Sequence, residues 1–230
     1  MSSTTEPTPT SGRAPAGAPV LAAAALAGQR GERLLFEGLD LQIEPGQVVW
    51  LRGRNGRGKT SLLRIMAGLS SPAQGAVLCD GLALNRQGAE WRHRLLYVAH
   101  ASALKEDLTV AECLSFSAAL QGRRHSPEEI HAALAHWGIS GLRQAPVRTL
   151  SQGQRRRTAL ARLALPHPAS IWLLDEPFDA LDNEGVQTLC GLLTRQSRRG
   201  GTVLLTSHQA VPLRDPIPLT LDLDGHAIAS

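Results

Sequence analysis

The residues Gly53-Arg54-Asn55-Gly56-Arg57-Gly58-Lys59-Thr60-Ser61 follow the pattern G-x-x-x-x-G-K-[ST], the spacing of a loop that grips phosphates. Glycines permit backbone shapes that a Cβ would obstruct. Successive N–H groups can then point inward as a nest for an anion. At this spacing Lys59 reaches the β- and γ-phosphates of a nucleotide, and the Thr60 hydroxyl is placed to ligate Mg²⁺. Lys59 and Lys105 are the only lysines, and every other residue of the Lys+Arg set is arginine. A compact ammonium fits among phosphates where a planar guanidinium does not.

Three further groups could act on the same phosphates. Asp175-Glu176 follows the apolar run 169–174, and adjacent acids at the C-terminal end of a buried strand lie where α/β sheets bind ligands. On extended backbone the two side chains point to opposite sides, so Asp175 can serve Mg²⁺ while Glu176 addresses a water. A turn-forming acid pair is the plain alternative. Thr202–Thr206 is another core strand, and it delivers Ser207-His208 to the same edge. Most single histidines are structural, but His208 directly after a core strand is a functional candidate. Ser151-Gln152-Gly153-Gln154 opens a helix with Ser151 at the N-cap and Gln154 at N3. Its free N–H groups make a second candidate anion site, although taken alone it is an ordinary cap.

These groups need an alternating β/α frame. Gln47–Leu51 reads as a buried strand before the loop, and Leu62, Leu63, Ile65, Met66 and Leu69 recur at helical spacing after it. Residues 34–43 and the turn Glu44-Pro45-Gly46 suggest an antiparallel strand pair leading into the site. Further strands are expected at 75–81 and 94–99. Between them and the Ser151 helix the character changes. Thr109-Val110-Ala111-Glu112 and Ser126-Pro127-Glu128-Glu129 are two capping boxes, and Ile130, Ala133, Leu134 and Trp137 form an apolar helical face. A helical subdomain over about 105–148 is therefore expected inside the β/α chain. Asp182 is placed to cap a helix ending at Gly200-Gly201. Leu219, Leu221 and Leu223 alternate, and Asp224-Gly225 turns into a final strand.

Length and composition set the bounds. A chain of 230 residues with 43% hydrophobic content suits one substantial α/β domain. Residues 1–19, rich in Ser, Thr, Pro, Ala and Gly, read as a disordered tail, leaving 20–230 for the domain. No apolar run is long enough to span a bilayer, so the expected compartment is cytoplasmic. The net charge of +4 could suggest nucleic acid. Yet aromatics are only 3%, which leaves no stacking platform for bases. Basic residues are scattered apart from Arg155-Arg156-Arg157, so a solvated arginine-biased surface is expected and no nucleic-acid partner. Cys79, Cys113 and Cys190 are widely spaced and odd in number, which suits small reduced core residues.

Taken together, the ordered motifs resemble an ABC-type ATPase over nearly the whole chain beyond the tail. Gly53 to Ser61 matches the Walker A loop. Leu150-Ser151-Gln152-Gly153-Gln154 matches the LSGGQ signature with Gln152 in place of the first glycine. Ile171 to Asp175 with Glu176 matches Walker B and its catalytic glutamate, Phe178 to Asp182 resembles the D-loop, and His208 the switch histidine. The resemblance implies a P-loop core with mixed sheet, an antiparallel β subdomain and an inserted α-helical subdomain. It also implies ATP and Mg²⁺ as ligands. In it Asp175 and Thr60 hold the metal, Glu176 polarises the attacking water and His208 positions Glu176 or the γ-phosphate. Finally it implies a head-to-tail homodimer in which Ser151, Gln152, Gly153 and Gln154 of one copy close over ATP on the other.

Two departures narrow the resemblance. Such proteins usually carry Gln where this chain has His100, and an imidazole there could contact water or ligate the metal more weakly. No aromatic residue precedes Phe36, which leaves Arg30 or an apolar residue to cover the adenine. The segments Tyr97-Val98-Ala99-His100, Leu104 to Thr109, Asp175 to Asp182 and Ser207-His208-Gln209 are similar to the cytochrome c biogenesis ATP-binding subunits, also called haem exporter ATP-binding subunits. That implies an integral membrane partner, peripheral attachment at the cytoplasmic face of the inner membrane, and work spent on haem export or on releasing haem from a chaperone. A soluble ABC ATPase, or the coupling subunit of another ABC transporter, is the competing reading. A P-loop kinase would have no need of the 150–154 signature.

Overall fold

The computed structural model describes residues 20–87, 90–101, 103–166 and 170–226. The expected tail, 1–19, and the strand expected after Gly225 lie outside these residues.

Two sheets frame the molecule. Leu21–Arg30 (β1), Arg33–Ile43 (β2), Gln74–Cys79 (β4) and Leu82–Ala83 (β5) form an antiparallel sheet in the order β2-β1-β4-β5. Val48–Arg52 (β3), Leu95–Val98 (β6), Ile171–Leu174 (β7), Thr202–Thr206 (β8) and Leu219–Asp222 (β9) form a parallel sheet in the order β6-β7-β8-β3-β9. The strands of the parallel sheet read as near-continuous apolar runs because both of its faces are covered.

Alternate residues feed two cores. Val49, Leu51, Leu173 and Leu204 join Leu26 and Phe36 of the antiparallel sheet, with the helix Lys59–Met66 (α1) contributing Leu62, Leu63, Ile65 and Met66. Val48, Trp172, Leu174, Val203 and Leu205 point the other way. There they meet the helices Val110–Ala119 (α2), Pro127–His136 (α3), Gln152–Leu160 (α4) and Asn183–Arg198 (α5) through Leu114, Ile130, Leu134, Leu160 and Leu189. Side chains one residue apart on a strand thus serve opposite layers.

The helix starts follow the side-chain chemistry of the sequence. Thr109, Ser126 and Ser151 each close a reciprocal capping box with Glu112, Glu129 and Gln154. Asp182 caps α5 by accepting from Gly185 N at 2.9 Å. The span 105–148 holds α2, α3 and two 3₁₀ turns. Cys79 and Cys113 are buried and Cys190 is partly so, all three free, and burial raises each thiol's pKa.

Three local expectations are corrected. Leu69 is not on the loop helix, since α1 ends at Met66 and the chain turns at Gly68 with φ 63°, leaving Leu69 57% exposed. Leu223 is buried in a 3₁₀ turn rather than continuing β9. Arg155-Arg156-Arg157 is not a solvated run. Arg155 pairs with Glu106 at 2.7 Å, Arg157 with Asp182 at 2.6 Å, and Arg156 lies in the core. Successive positions on a helix point about 100° apart, so adjacent arginines reach separate segments.

Candidate active site

Parallel strands deliver their C-terminal ends to one edge. The glycine-rich loop leaves β3, Asp175-Glu176 leaves β7, Ser207-His208 leaves β8 and His100 stands just past β6. Because β8 lies between β3 and β7, its last residue, Thr206, sits between the loop and the acid pair. Around this edge is a cavity of about 280 Å³ lined by Arg30, Leu35, Arg54, Asn55, Gly56, Gly58, Lys59, Thr60, Ser61, His100, Glu176 and His208. A larger cleft of about 530 Å³, beside Gly68 and Trp91, lies away from these groups and has no carboxylate, histidine or lysine among the described residues of its walls.

The loop depends on its glycines. Gly53, Gly56 and Gly58 have φ of 142°, 78° and 98°, values that L side chains rarely adopt. A Cβ on Gly58 would also stand 3.0 Å from Leu35 Cβ. Gly58 caps α1 with no side-chain bond, so the first amides of the helix are left for a ligand. Lys59 is 8% exposed, and its Nζ donates to Gly53 O at 2.7 Å across the loop. Asp224 braces the loop from outside. It accepts from Arg54 N at 3.2 Å and pairs with Arg57 Nε at 3.1 Å. Gly53 and Arg57 shape the loop without lining the cavity, whereas Arg54, Asn55 and Ser61 reach it.

The acids are held differently from one another. Asp175 Oδ2 accepts from Thr60 Oγ1 at 2.8 Å, and Oδ1 from Thr206 Oγ1 at 2.9 Å. The Thr60 hydroxyl and the Asp175 carboxylate therefore converge as a pair of hard oxygen donors. No cluster of three or more His, Cys, Asp or Glu that could cage a metal exists among the described residues. Mg²⁺ suits such a sparse set, since it keeps several waters and takes its remaining ligands from substrate phosphates.

Glu176 departs from the expected alternation along extended backbone. Its φ is 47°, so the turn of the main chain, rather than strand alternation, separates it from Asp175. Its N–H donates to Thr206 Oγ1 at 2.7 Å. Its carboxylate accepts from His208 N at 2.9 Å, with His208 Nε2 3.4 Å from the other oxygen. Burial raises the Glu176 pKa, opposed by the charge of His208. A carboxylate taken out of water keeps its affinity for a proton. Thr206 and Asp224 were missed from sequence. A threonine ending a core strand is the available signal for the first, and Asp224 carries none because Asp224-Gly225 reads simply as a turn into a final strand.

His100 lines the cavity with its side chain 59% exposed, and its Nδ1 stands 3.7 Å from Asp179. Ser151, Gln152, Gly153 and Gln154 do not line the cavity. Ser151 and Gln152 are exposed at the start of α4, open to another molecule.

The ABC transporter family model matches residues 36–179. The cytochrome c biogenesis ATP-binding export protein CcmA of Methylococcus capsulatus is 46% identical over 185 residues, covering 80% of this chain and 89% of that protein. The protein of the same name from Pseudomonas fluorescens is 46% identical over 213 residues, covering 91% and 99%. Among solved structures, a putative ABC transporter ATP-binding protein from Pyrococcus furiosus superposes with a TM-score of 0.76 at 23% identity over 90% of this chain and 99% of its own. The ATP-binding cassette MJ0796, solved as a dimer bound to ADP and Pi, gives 0.73 at 24% over 82% and 88%. The chain belongs to the ABC transporter ATP-binding family and, within it, to the cytochrome c biogenesis ATP-binding export proteins of the CcmA type.

Proposed function

We propose that this chain binds ATP with Mg²⁺ and hydrolyses it to energise a membrane ABC complex of c-type cytochrome biogenesis, exporting haem or releasing it from a chaperone. The observation that carries the reading is the convergence of Lys59, Thr60, Asp175, Glu176 and His208 on one sheet edge, within the family shown above.

Lys59 and the loop amides bind the β- and γ-phosphates. Thr60 and Asp175 would hold Mg²⁺, which when bound would neutralise charge on the phosphate oxygens. Glu176 accepts a proton from the attacking water, and its burial favours that transfer. His208 fixes the carboxylate through its backbone N–H and places an imidazole beside it. His100 lines the same cavity, where its imidazole would contact water or ligate the metal more weakly, and Arg30 or an apolar residue would cover the base. Residues 20–230 act as one ATPase domain with the helical subdomain at about 105–148.

The cavity is open to solvent at His100, and the exposed N-terminus of α4 is unused by its own copy. Both suit a head-to-tail homodimer in which Ser151 to Gln154 of one copy close on the γ-phosphate held by the other. No helix among the described residues is long and apolar enough to cross a membrane. The work is then passed to a separate integral membrane subunit from the cytoplasmic face of the inner membrane.

Two assays test this. Purified chain should hydrolyse ATP with Mg²⁺, and Glu176→Gln should bind ATP but turn it over ~10²- to 10⁴-fold more slowly. Detergent capture from membranes should recover an integral membrane subunit. Wild-type hydrolysis by Glu176→Gln would overturn the chemistry, and stimulation by nucleic acid without a membrane partner would overturn the assignment of the work.

A further inference from the structure

Arg156 lies in the middle of α4 and is 4% exposed. Among the described residues its guanidinium meets no carboxylate oxygen within hydrogen-bond distance. It donates instead to four backbone carbonyls on two segments. Nη1 donates to Ala99 O at 3.2 Å and His100 O at 3.3 Å. Nη2 donates to Asp175 O at 3.1 Å and also to Glu176 O. One rigid planar fork thus spans the turns after β6 and β7 from a helix that begins at Ser151.

The main chain at Glu176 needs such a hold. A glutamate at φ 47° sits in a region that persists only when the surroundings over-determine it. Its N–H is fixed by Thr206 and its carboxylate by His208 N. The carbonyl accepts from Asp179 N at 3.2 Å within the turn itself, and Arg156 adds a hold on it from a separate element. Without Arg156 that carbonyl keeps only the turn's own bond from Asp179 N, so the peptide after Glu176 is freer to relax from its left-handed setting and shift the carboxylate relative to Lys59 and Thr60. The negative field of Asp175, Glu176 and Asp179 helps keep the buried guanidinium charged against the burial that lowers its pKa.

We infer that Arg156 is a positioning residue for the water-directing carboxylate, tying the helix that starts at Ser151 to Glu176 and to the His100 turn. The inference rests on the proposed role of Glu176. Lysine cannot reproduce a planar fork that serves two carbonyl pairs, so Arg156→Lys keeps the charge and removes the geometry.

The test compares wild type, Arg156→Lys, Glu176→Gln and the double variant in the full chain. The measurements are ATP affinity, single-turnover hydrolysis of ATP with Mg²⁺, and thermal unfolding. Arg156→Lys should hold ATP within about 2-fold of wild type while kcat falls ~10-fold or more, and in the Glu176→Gln background it should cost less than about 2-fold further, since groups acting as one unit are not additive. An unchanged kcat, a loss confined to ATP affinity, or the same loss persisting in the Glu176→Gln background would each refute the inference. If Arg156→Lys does not unfold cooperatively, Arg156→Gln, which can still reach one carbonyl pair, is judged by the same criteria. Loss of fold in both variants would show a structural role only, and would also overturn the inference. If instead Glu176→Gln hydrolyses ATP at the wild-type rate, it is the reading of the site that fails.

Discussion

Replacing Thr206 with valine keeps the volume and removes one oxygen. That oxygen is fully buried, donates to Asp175 Oδ1 at 2.9 Å and accepts from Glu176 N at 2.7 Å. Losing the bond to a charged acceptor costs about 1.5–3 kcal/mol, and leaving the Glu176 N–H buried without a partner costs about 1–3 kcal/mol. The two losses share one atom, and Asp175 keeps its bond from Thr60, so the sum overstates the effect. An expected destabilisation of about 3 kcal/mol lowers Tm by roughly 6–12 °C for a chain of this size. Hydrolysis should fall as well, since both acids lose an anchor. Circular-dichroism melts with and without ATP, beside single-turnover hydrolysis, measure both effects. Thr206→Ser restores the hydroxyl and gives up one methyl, so it should recover most of the stability and rate, staying within about 1.5 kcal/mol of wild type. A valine variant that melts and hydrolyses as wild type would refute the network, and so would a serine variant as damaged as valine.

The remaining predictions address binding, metal and backbone. Lys59→Arg should abolish measurable ATP affinity by equilibrium dialysis, because a guanidinium cannot take the ammonium's place against Gly53 O and the phosphates. Chelating Mg²⁺ should stop hydrolysis, and Asp175→Asn should raise the Mg²⁺ needed for half-maximal rate, read from a metal titration of turnover. Gly75→Ala should destabilise the fold by about 2–4 kcal/mol in urea melts, since its φ is 76° and a Cβ would fall 2.3 Å from Ala25 O.

Motif order and strand patterning made the site's membership legible. The phosphate loop, Asp175-Glu176, Ser207-His208 and His100 each followed an apolar run, and parallel pairing put those ends together; Ser151 to Gln154, on a helix start, stayed apart from them. The capping boxes at Thr109, Ser126 and Ser151 were legible for a similar reason, because a cap is a contact between residues three apart. What escaped were contacts between segments far apart in sequence. Thr206 reads as one more β-branched strand residue, and only the order β7-β8-β3 gives its hydroxyl two partners in the site. Arg156 sits in a run whose plain reading is solvent, and its burial follows from which face of α4 the core claims. The φ of Glu176 was hidden because a glutamate carries no local signal for left-handed backbone.

These hidden residues share one property. Lys59, Glu176 and His208 touch the cavity, but Thr206, Asp224 and Arg156 hold backbone: the Glu176 N–H, the Arg54 N–H, and the carbonyls of Asp175 and Glu176. A site that must present a carboxylate and a ring of amides in fixed directions needs its main chain fixed before the substrate arrives, since reorganisation at the moment of reaction would raise the barrier. Side chains that reach substrate are free to be read from motifs. Those that fix the main chain are chosen by topology, which places β8 between the phosphate loop and the acids and lays α4 across the turn behind them. The same geometry makes α4 the one described helix joined both to an exposed capped end at Ser151 and, through Arg156, to the backbone of Glu176. A second copy engaging Ser151 would therefore act on the backbone of Asp175 and Glu176 through two hydrogen bonds, and on the turn at Ala99 and His100 through two more, rather than through a chain of loose contacts.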